Sequence, residues 1–422
     1  MLLYKDYVNC RKQYQELGKN LLLSKKHACL FFSPGKGKTY PVIDALKELE
    51  EKKPNLNVLI ISTPDAIRKM WQVEIVPQNI LPKQTYLVTD RTAIGDISQV
   101  LMMKYWDVIV VDECHILKSN SSKIHKLVYK LSRRAEYAWG LTGTPRGNSD
   151  IDIWCQLQAL NVAGQGNMSY TAWSKIYCDF ETGWSAHGQF QKPTEIKQKY
   201  RAWWDALLED YCMFVDYDEE DDMPDLNINV VEIPYIKTEA YNNAIKGIIE
   251  VGEFATTTEK MVAITKAHQV CNGYIYLPDK SIYRYHENSK LNYLDYYVER
   301  ERCVIVYRYI ADLEDLQKKF GNDATTDVNI FKTGRYKVLL LQCGKSESFN
   351  LQDHCNTIIF YTLNYSFIKY KQMIHRCWRM GQKRDTDIVV LMHKGTIEKQ
   401  IWHAVEHKQK MHDLYMDIRK SV

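Results

Sequence analysis

The stretch Phe31–Ser62, FFSPGKGKTYPVIDALKELEEKKPNLNVLIIS, decides how the fold is read. It leaves an apolar run through a loop containing Gly35, Lys36, Gly37, Lys38 and Thr39. Glycines there let backbone N–H groups converge on an anion, the following helix start adds partial positive charge, and a lysine neutralises phosphate oxygens. Tyr40–Lys53 then sets Val42, Ile43, Leu46 and Leu49 at helical spacing, and NVLIIS closes on Ser62 as the next strand. The stretch is a strand–helix–strand unit with a phosphate-type loop at its first turn.

Outward from it, the same kind of run recurs in DVIVVDE, ending at Glu113, and AWGLTGTP, ending at Pro145. Continuous rather than alternating apolarity predicts strands covered on both faces, as in a parallel sheet between helices. A second set follows in CVIVY at Cys303, KVLLLQ at Lys337, TIIFYT at Thr357 and DIVVLM at Asp387. Two doubly wound α/β lobes are expected, the first over 1–160 and the second over 289–422. Between them, 161–288 is rich in Trp, Tyr and charge with weak strand signals, and reads as a mainly helical insertion and linker. Trp173, Trp203 and Trp204 in that segment are expected to pack rather than to stack on bases.

Composition narrows the class. The chain has 422 residues, 45% hydrophobic and 26% charged, enough for a large core and about two or three domains. No apolar run approaches the roughly 18 residues of a membrane span. The opening MLLYKDYVNC meets Lys5 and Asp6 too soon for a secretory leader, so a cytoplasmic protein with no membrane association is expected. Eleven cysteines without a CxxC pair argue against a disulfide framework or a zinc site. A net charge of +4 demonstrates no nucleic-acid footprint, because such a footprint is local. Locally, DYDEEDD at Asp216–Asp222 is acidic and reads as a solvated loop or linker, whereas HRCWRMGQKR at His375–Arg384 is basic with an interleaved aromatic.

In open α/β sheets ligands bind at the carboxyl ends of strands. Gly35, Gly37, Lys38 and Thr39 follow the first strand, Asp112 and Glu113 end another, and Thr142, Gly143 and Thr144 end a third. Together they predict a nucleoside-triphosphate site. Lys38 would hold the β- and γ-phosphates, and the Thr39 hydroxyl and Asp112 would hold Mg²⁺. Glu113 would orient or deprotonate the attacking water. His115 is either part of this site or a buried histidine satisfied elsewhere.

These phrases resemble a family. GKGKT, DECHILKS and LTGTP look like motifs I, II and III of the superfamily 2 helicase-like ATPases. QMIHRCWRMGQKR, Gln372–Arg384, fits the Q-x-x-x-R-x-x-R-x-G-Q pattern of motif VI in the Swi/Snf branch of DNA translocases. KAHQVCNG at Lys266, SKLNYLDYY at Ser289, FNLQDHCNTIIFY at Phe349 and GTIEKQI at Gly395 fall in that branch's order. The resemblance implies two RecA-like lobes that use ATP and Mg²⁺ in a cleft between them and track on DNA, double-stranded or branched. It implies Arg379 as an arginine finger with Arg376 as its companion. The two lie one helical turn apart, with Gln372 and Gln382 as hydrogen-bonding partners. His115, Thr142 and Thr144 become coupling residues. RKQYQELGKNLL resembles the adenine-reading segment, through Gln15 or Gln13, unless it is a plain amphipathic helix. Thr63 and Lys69 in STPDAIRKMWQVEI, with Trp71 packing, and Lys345 in QCGKSESFNLQ are the implied nucleic-acid contacts.

The chain departs from the branch in several places. Phe32, Ser33 and Pro34 stand where an acidic run is usual, paired arginines are missing before the interdomain crossing, and the span Phe320–Val338 is too short for the usual DNA-contact motif. The absence of reader or nuclease modules resembles bacterial or phage members, working as monomers with phage or host DNA-processing proteins. A strand-separating DNA or RNA helicase is the nearest alternative, although the sequence shows no wedge. A binding module with a decayed ATPase is the alternative of another class, and the intact catalytic set argues against it.

Overall fold

The computed structural model describes residues 8 and 11–420, apart from 148, 186–187, 218–222, 252–253, 258–259, 287 and 344–348. The chain divides into two compact units, the first built mainly on residues up to 218 and the second mainly on 219–410.

The first unit carries β1 (His27–Phe32), β2 (Asn57–Ser62), β3 (Gln84–Thr89), β4 (Val108–Asp112) and β5 (Tyr137–Leu141). A hairpin of β6 (Cys178–Ser185) and β7 (Gly188–Ile196) follows, and then β8 (Cys212–Val215). The sheet order is β3-β2-β4-β5-β1-β8, and all its pairs are parallel. β4 is buried at every position, which is why its sequence shows no alternation. The helix Thr39–Lys52 buries Val42, Ile43, Leu46 and Leu49 against one face of the sheet. Pro41 is tolerated in its first turn, where an N–H has no helical partner. The helix stops because Lys53, which precedes Pro54, is driven to extended backbone at φ −136°.

The second unit carries β9 (Leu226–Ile233), the hairpins β10 (Ile248–Val251) with β11 (Phe254–Thr257) and β12 (Tyr274–Tyr276) with β13 (Ile282–Arg284), and then β14 (Cys303–Tyr307). β15 (Ala324–Thr325), β16 (Val338–Gln342), β17 (Thr357–Phe360) and β18 (Thr386–His393) complete it. Its sheet runs β15-β16-β14-β17-β18-β9, again parallel throughout.

The expectation of two doubly wound parallel lobes holds. The segment 161–288 carries more strand than its composition suggests, because β8 edges the first sheet and β9 the second. β9 alternates apolar and polar residues from Leu226 to Val230, yet most of its positions are exposed, as befits an edge strand. Trp173 and Trp204 are fully buried, and Trp173 stacks on Trp154 with centroids 4.3 Å apart. Trp203 is half-exposed and stacks on Tyr177. The described cysteines are free and buried. No helix among the described residues is long and apolar enough to cross a membrane.

The second unit is pinned by a buried polar cluster. The Lys290 ammonium contacts Glu398 and donates to Asn272 Oδ1 at 3.1 Å and to the Tyr361 carbonyl at 3.0 Å. His268 Nε2 lies 3.2 Å from Glu398 Oε1, and the His393 backbone N–H donates to Glu398 Oε2 at 2.7 Å. Burial alone would raise the Glu398 carboxyl, but the Lys290 charge and the two histidines outweigh it and hold the group well below its usual range. Cys271, His393 and Glu398 have ligand-type spacing. The ammonium already compensates that carboxylate, so the cluster is an internal ion pair joining SKL at Ser289 to GTIEKQI at Gly395.

Candidate active site

The carboxyl ends of β4, β5 and β1, neighbours in the first sheet, bring the expected nucleotide-site residues together. Gly35 and Gly37 take φ of 94° and 69°, a region that side-chain-bearing residues avoid. At Gly37 there is also no room, because a Cβ would lie 2.6 Å from Gln15 Nε2. Gln15 is buried and donates to the Lys36 carbonyl at 3.2 Å, while its own carbonyl accepts the Lys12 N–H at 3.1 Å. Gln13 is exposed on the same helix, so Gln15 is the glutamine on the loop. Tyr14 adds a second donor to the Lys36 carbonyl at 3.3 Å.

The two loop lysines have different surroundings. Lys36 is buried, with its ammonium 5.3 Å from the centre of the Tyr14 ring. Lys38 stands at the start of the helix Thr39–Lys52, and its Nζ is 3.8 Å from Glu113 Oε1. Its positive charge therefore sits at the helix N-terminus, facing the acidic pair.

Asp112 is 2% exposed and bound on both oxygens. Oδ1 accepts the Glu113 N–H at 3.1 Å, and Oδ2 accepts Trp71 Nε1 at 3.1 Å and Ser62 Oγ at 3.3 Å. Burial raises this carboxyl, the Glu113 charge adds to the rise, and the Lys38 ammonium and the indole N–H oppose it. Glu113 sits in the left-handed region at φ 57°, ψ 48°, an arrangement that costs of order 1–3 kcal/mol for a residue with a side chain. The contacts of its side chain hold it there. Its Oε2 is 3.1 Å from His115 Nδ1 and accepts Thr142 Oγ1 at 3.4 Å. His115 Nδ1 is also 3.1 Å from Thr142 Oγ1, which accepts the Thr144 N–H at 3.1 Å. His115 is thus joined to Glu113 and Thr142, and a continuous polar chain runs from Lys38 through Glu113 to the β5 exit.

The donor set suits a magnesium nucleotide. Hard divalent cations take oxygen ligands, and the oxygens beside the loop that would hold one are the Asp112 carboxylate and the Thr39 hydroxyl, whose Oγ1 lies 4.0 Å from Met70 Sδ. Among the described residues, Thr144 Oγ1 is buried without a hydrogen-bond partner, a donor left over at the same strand end.

Several contributors to the site stand outside the motifs. Ser62 and Trp71 both hold Asp112, and Trp71, expected only to pack, is buried and also donates. The signal for Ser62 was its place at the end of β2, which runs beside β4 with Ile61 opposite Val111. Thr63 stands at the β2 exit and accepts the Ala66 N–H at 3.4 Å, just ahead of the π-helical segment Ala66–Ile75. The side chain of Lys69, and Lys345 altogether, lie outside the described residues.

In the second unit the helix Phe367–Ile374 carries Gln372, half-buried, and ends before the arginines. Arg376 and Arg379 are therefore not one helical turn apart, as expected, but in the irregular turn that follows. Both nevertheless reach one segment. Arg376 donates to the Phe349 carbonyl at 3.3 Å and lies over its ring, and Arg379 contacts Asn350 Oδ1. Gln382 is engaged within its own unit. It donates to the Cys355 carbonyl at 3.1 Å and accepts the backbone N–H groups of Lys383 and Arg384.

Residues 76–202 match the SNF2-related domain. Over 97% of its length the chain is 24% identical to the putative protein p41 of Acyrthosiphon pisum secondary endosymbiont phage 1, covering 98% of that protein. It is 26% identical to the DNA annealing helicase and endonuclease ZRANB3 of Bos taurus, over 39% of this chain and 17% of that protein. It is 22% identical to the putative ATP-dependent helicase/translocase YwqA of Bacillus subtilis, over 95% of this chain and 48% of that protein. The chain thus spans the phage protein almost completely, and about half or less of the other two. The Swi/Snf-type, helicase-like ATPase resemblance read from the motifs is borne out.

Proposed function

We propose that this chain, with its SNF2-related domain, is an ATP-driven motor that tracks on duplex or branched DNA. The observation that carries the reading is the polar chain Lys38–Glu113–His115–Thr142, which joins the phosphate loop to the exits of β4 and β5. Lys38 and the N–H groups of Gly35–Thr39 hold the β- and γ-phosphates, and Gln15 contacts the adenine side of the loop. Thr39 and Asp112 hold Mg²⁺, which when bound draws charge from the phosphate oxygens. Glu113 orients the attacking water and takes its proton, while His115 and Thr142 fix the carboxylate's aim and pass its state to Thr144. Arg376 and Arg379 of the second unit, with Gln372, act on the charge that develops at the γ-phosphate.

Thr63, Lys69 and Lys345 are proposed phosphate-backbone contacts. Tracking through such contacts predicts low sequence specificity and high salt sensitivity. The proposed lobes are 1–160 and 289–422, and the segment 161–288 that joins them lends β8 to the sheet of the first and β9 to the sheet of the second. The chain works as a monomer in the cytoplasm of a bacterial or phage-infected cell, with phage or host DNA-processing proteins.

One observation favours strand separation as a second reading. The hairpin β6–β7, an element not foreseen, is tied to the segment after β5 by Arg146, which pairs with Glu195 at 2.9 Å and lies 3.6 Å from Asp150. The test is steady-state ATP hydrolysis without nucleic acid and with single-stranded, double-stranded and branched DNA and RNA, at two salt concentrations. Stimulation by duplex or branched DNA supports translocation; stimulation by single strands or RNA alone, with forked-duplex displacement, supports the helicase reading.

A further inference from the structure

The run DYDEEDD has the composition of a solvated linker, yet its first two residues turn back onto the phosphate loop. β8 runs parallel to β1 with Val215 opposite Phe32, and the pairing continues one step further, Ser33 N–H donating to the Val215 carbonyl at 2.8 Å. Asp216 Oδ1 then accepts Ser33 Oγ at 2.6 Å and the Tyr217 N–H at 2.9 Å. The Tyr217 hydroxyl donates to the Pro34 carbonyl. Ser33 is 1% exposed, so water offers its hydroxyl no ready substitute.

The opposite side of the loop is equally close. A Cβ on Gly143 would lie 2.9 Å from Pro34 Cδ and 3.1 Å from the Phe32 carbonyl, so the β5 exit packs against Pro34 from that side. The Ser33 carbonyl accepts the Lys36 N–H at 3.1 Å, closing the turn from which Gly37 and Lys38 emerge. Ser33–Pro34, the departure from the usual acidic run, is thus the fixed base of the loop. Asp216 and Tyr217 are what fix it.

We propose that Asp216 and Tyr217 are positioning residues for nucleotide binding, an inference that rests on the nucleotide-site reading above. They hold Ser33–Pro34 so that the N–H groups of the following loop stay converged on an anion without reorganising when it arrives. The Ser33 hydroxyl and the Tyr217 N–H both donate to Asp216 Oδ1, charge-assisted hydrogen bonds that tie the carboxylate to the base of the loop.

The test uses full-length Asp216→Ala, Asp216→Asn and Tyr217→Phe, with ATP and ADP affinity measured by displacement of a fluorescent nucleotide, KM and kcat, and thermal unfolding. Tyr217→Phe and Asp216→Ala should each weaken nucleotide binding about threefold to tenfold, the worth of one net hydrogen bond, with kcat at saturation close to the parent value. Asp216→Asn keeps an accepting oxygen and should restore affinity. Unchanged affinity in properly folded Asp216→Ala and Tyr217→Phe overturns the proposal. So does a fall in kcat with KM unmoved, or a failure of Asp216→Asn to rescue. Lys38→Ala is measured alongside. If it binds and hydrolyses ATP normally, the nucleotide-site reading itself falls and the proposal with it; if it is inactive while the clamp variants match the parent, only the clamp falls.

Discussion

Replacing Trp71 with Phe should weaken the motor's response to magnesium while leaving its fold in place. The indole N–H donates to Asp112 Oδ2 at 3.1 Å inside a site where the carboxyl is 2% exposed. Phenylalanine keeps most of the ring volume and removes the donor. A hydrogen bond to a charged, buried acceptor contributes about 1.5–3 kcal/mol, and about 1.4 kcal/mol is tenfold in an equilibrium constant. Two donors remain on Asp112, from Ser62 and the Glu113 backbone, and partly compensate, so the lower end applies. Apparent Mg²⁺ affinity at neutral pH should fall about tenfold. Burial already raises the Asp112 carboxyl and the indole opposes that rise, so the acid limb of the pH–rate profile should move to higher pH. The assay is ATP hydrolysis titrated with Mg²⁺ at fixed ATP across pH 5 to 8, with a melting curve to register any packing loss separately. Ser62→Ala should act in the same direction, and the double variant should depart from additivity because both donors meet one oxygen. An unchanged magnesium midpoint in a folded Trp71→Phe protein would refute the assignment of Asp112 as the carboxylate that holds the ion.

Further outcomes follow from the same geometry. Lys38→Ala and Glu113→Gln should each reduce turnover at least about a hundredfold, Glu113→Gln with nucleotide still bound; single-turnover hydrolysis with a binding assay separates the two. Gly37→Ala forces a side chain into φ 69° and against Gln15, so it should cost about 1–2 kcal/mol and loosen nucleotide binding, read by calorimetric titration. His125 is 3% exposed, donates to the Cys155 carbonyl at 3.1 Å, and burial lowers it from 6.5 to about 4. Its depressed value means that its share of stability, about 3 kcal/mol, is full above pH 6.5 and is lost as pH falls toward 4. His268 and His393, lowered by burial, act with the same sign in the second unit. Unfolding midpoints between pH 7.5 and 4.5 should drop accordingly, less steeply in His125→Gln. Arg379→Ala should slow DNA-stimulated hydrolysis about a hundredfold or more with little change in ATP affinity, measured as kcat against Kd.

What the sequence determined by itself is whatever depends on near neighbours along the chain. Unbroken apolar runs mark strands covered on both faces, so the central strands of both sheets were legible, and so was the order of loop, acidic pair and hydroxyl-rich turn at their ends. Those same features carried the ATPase resemblance. Tertiary structure decided what depends on partners far apart in the chain. β8 and β9 are short or edge strands whose pairing is set by β1 and β18, and nothing local in Cys212–Val215 or Leu226–Ile233 announces it. Lys38 is singled out in the sequence by its place before Thr39, but that Lys36 is buried beside Tyr14 while Lys38 faces Glu113 is decided only in space. Trp71 becomes a donor to Asp112, and Asp216 a brace for Ser33, for the same reason. A hydrogen bond is decided by distance and direction in space, and residues 41 apart, as the first pair is, or 183 apart, as the second is, meet only once the sheet has set its order.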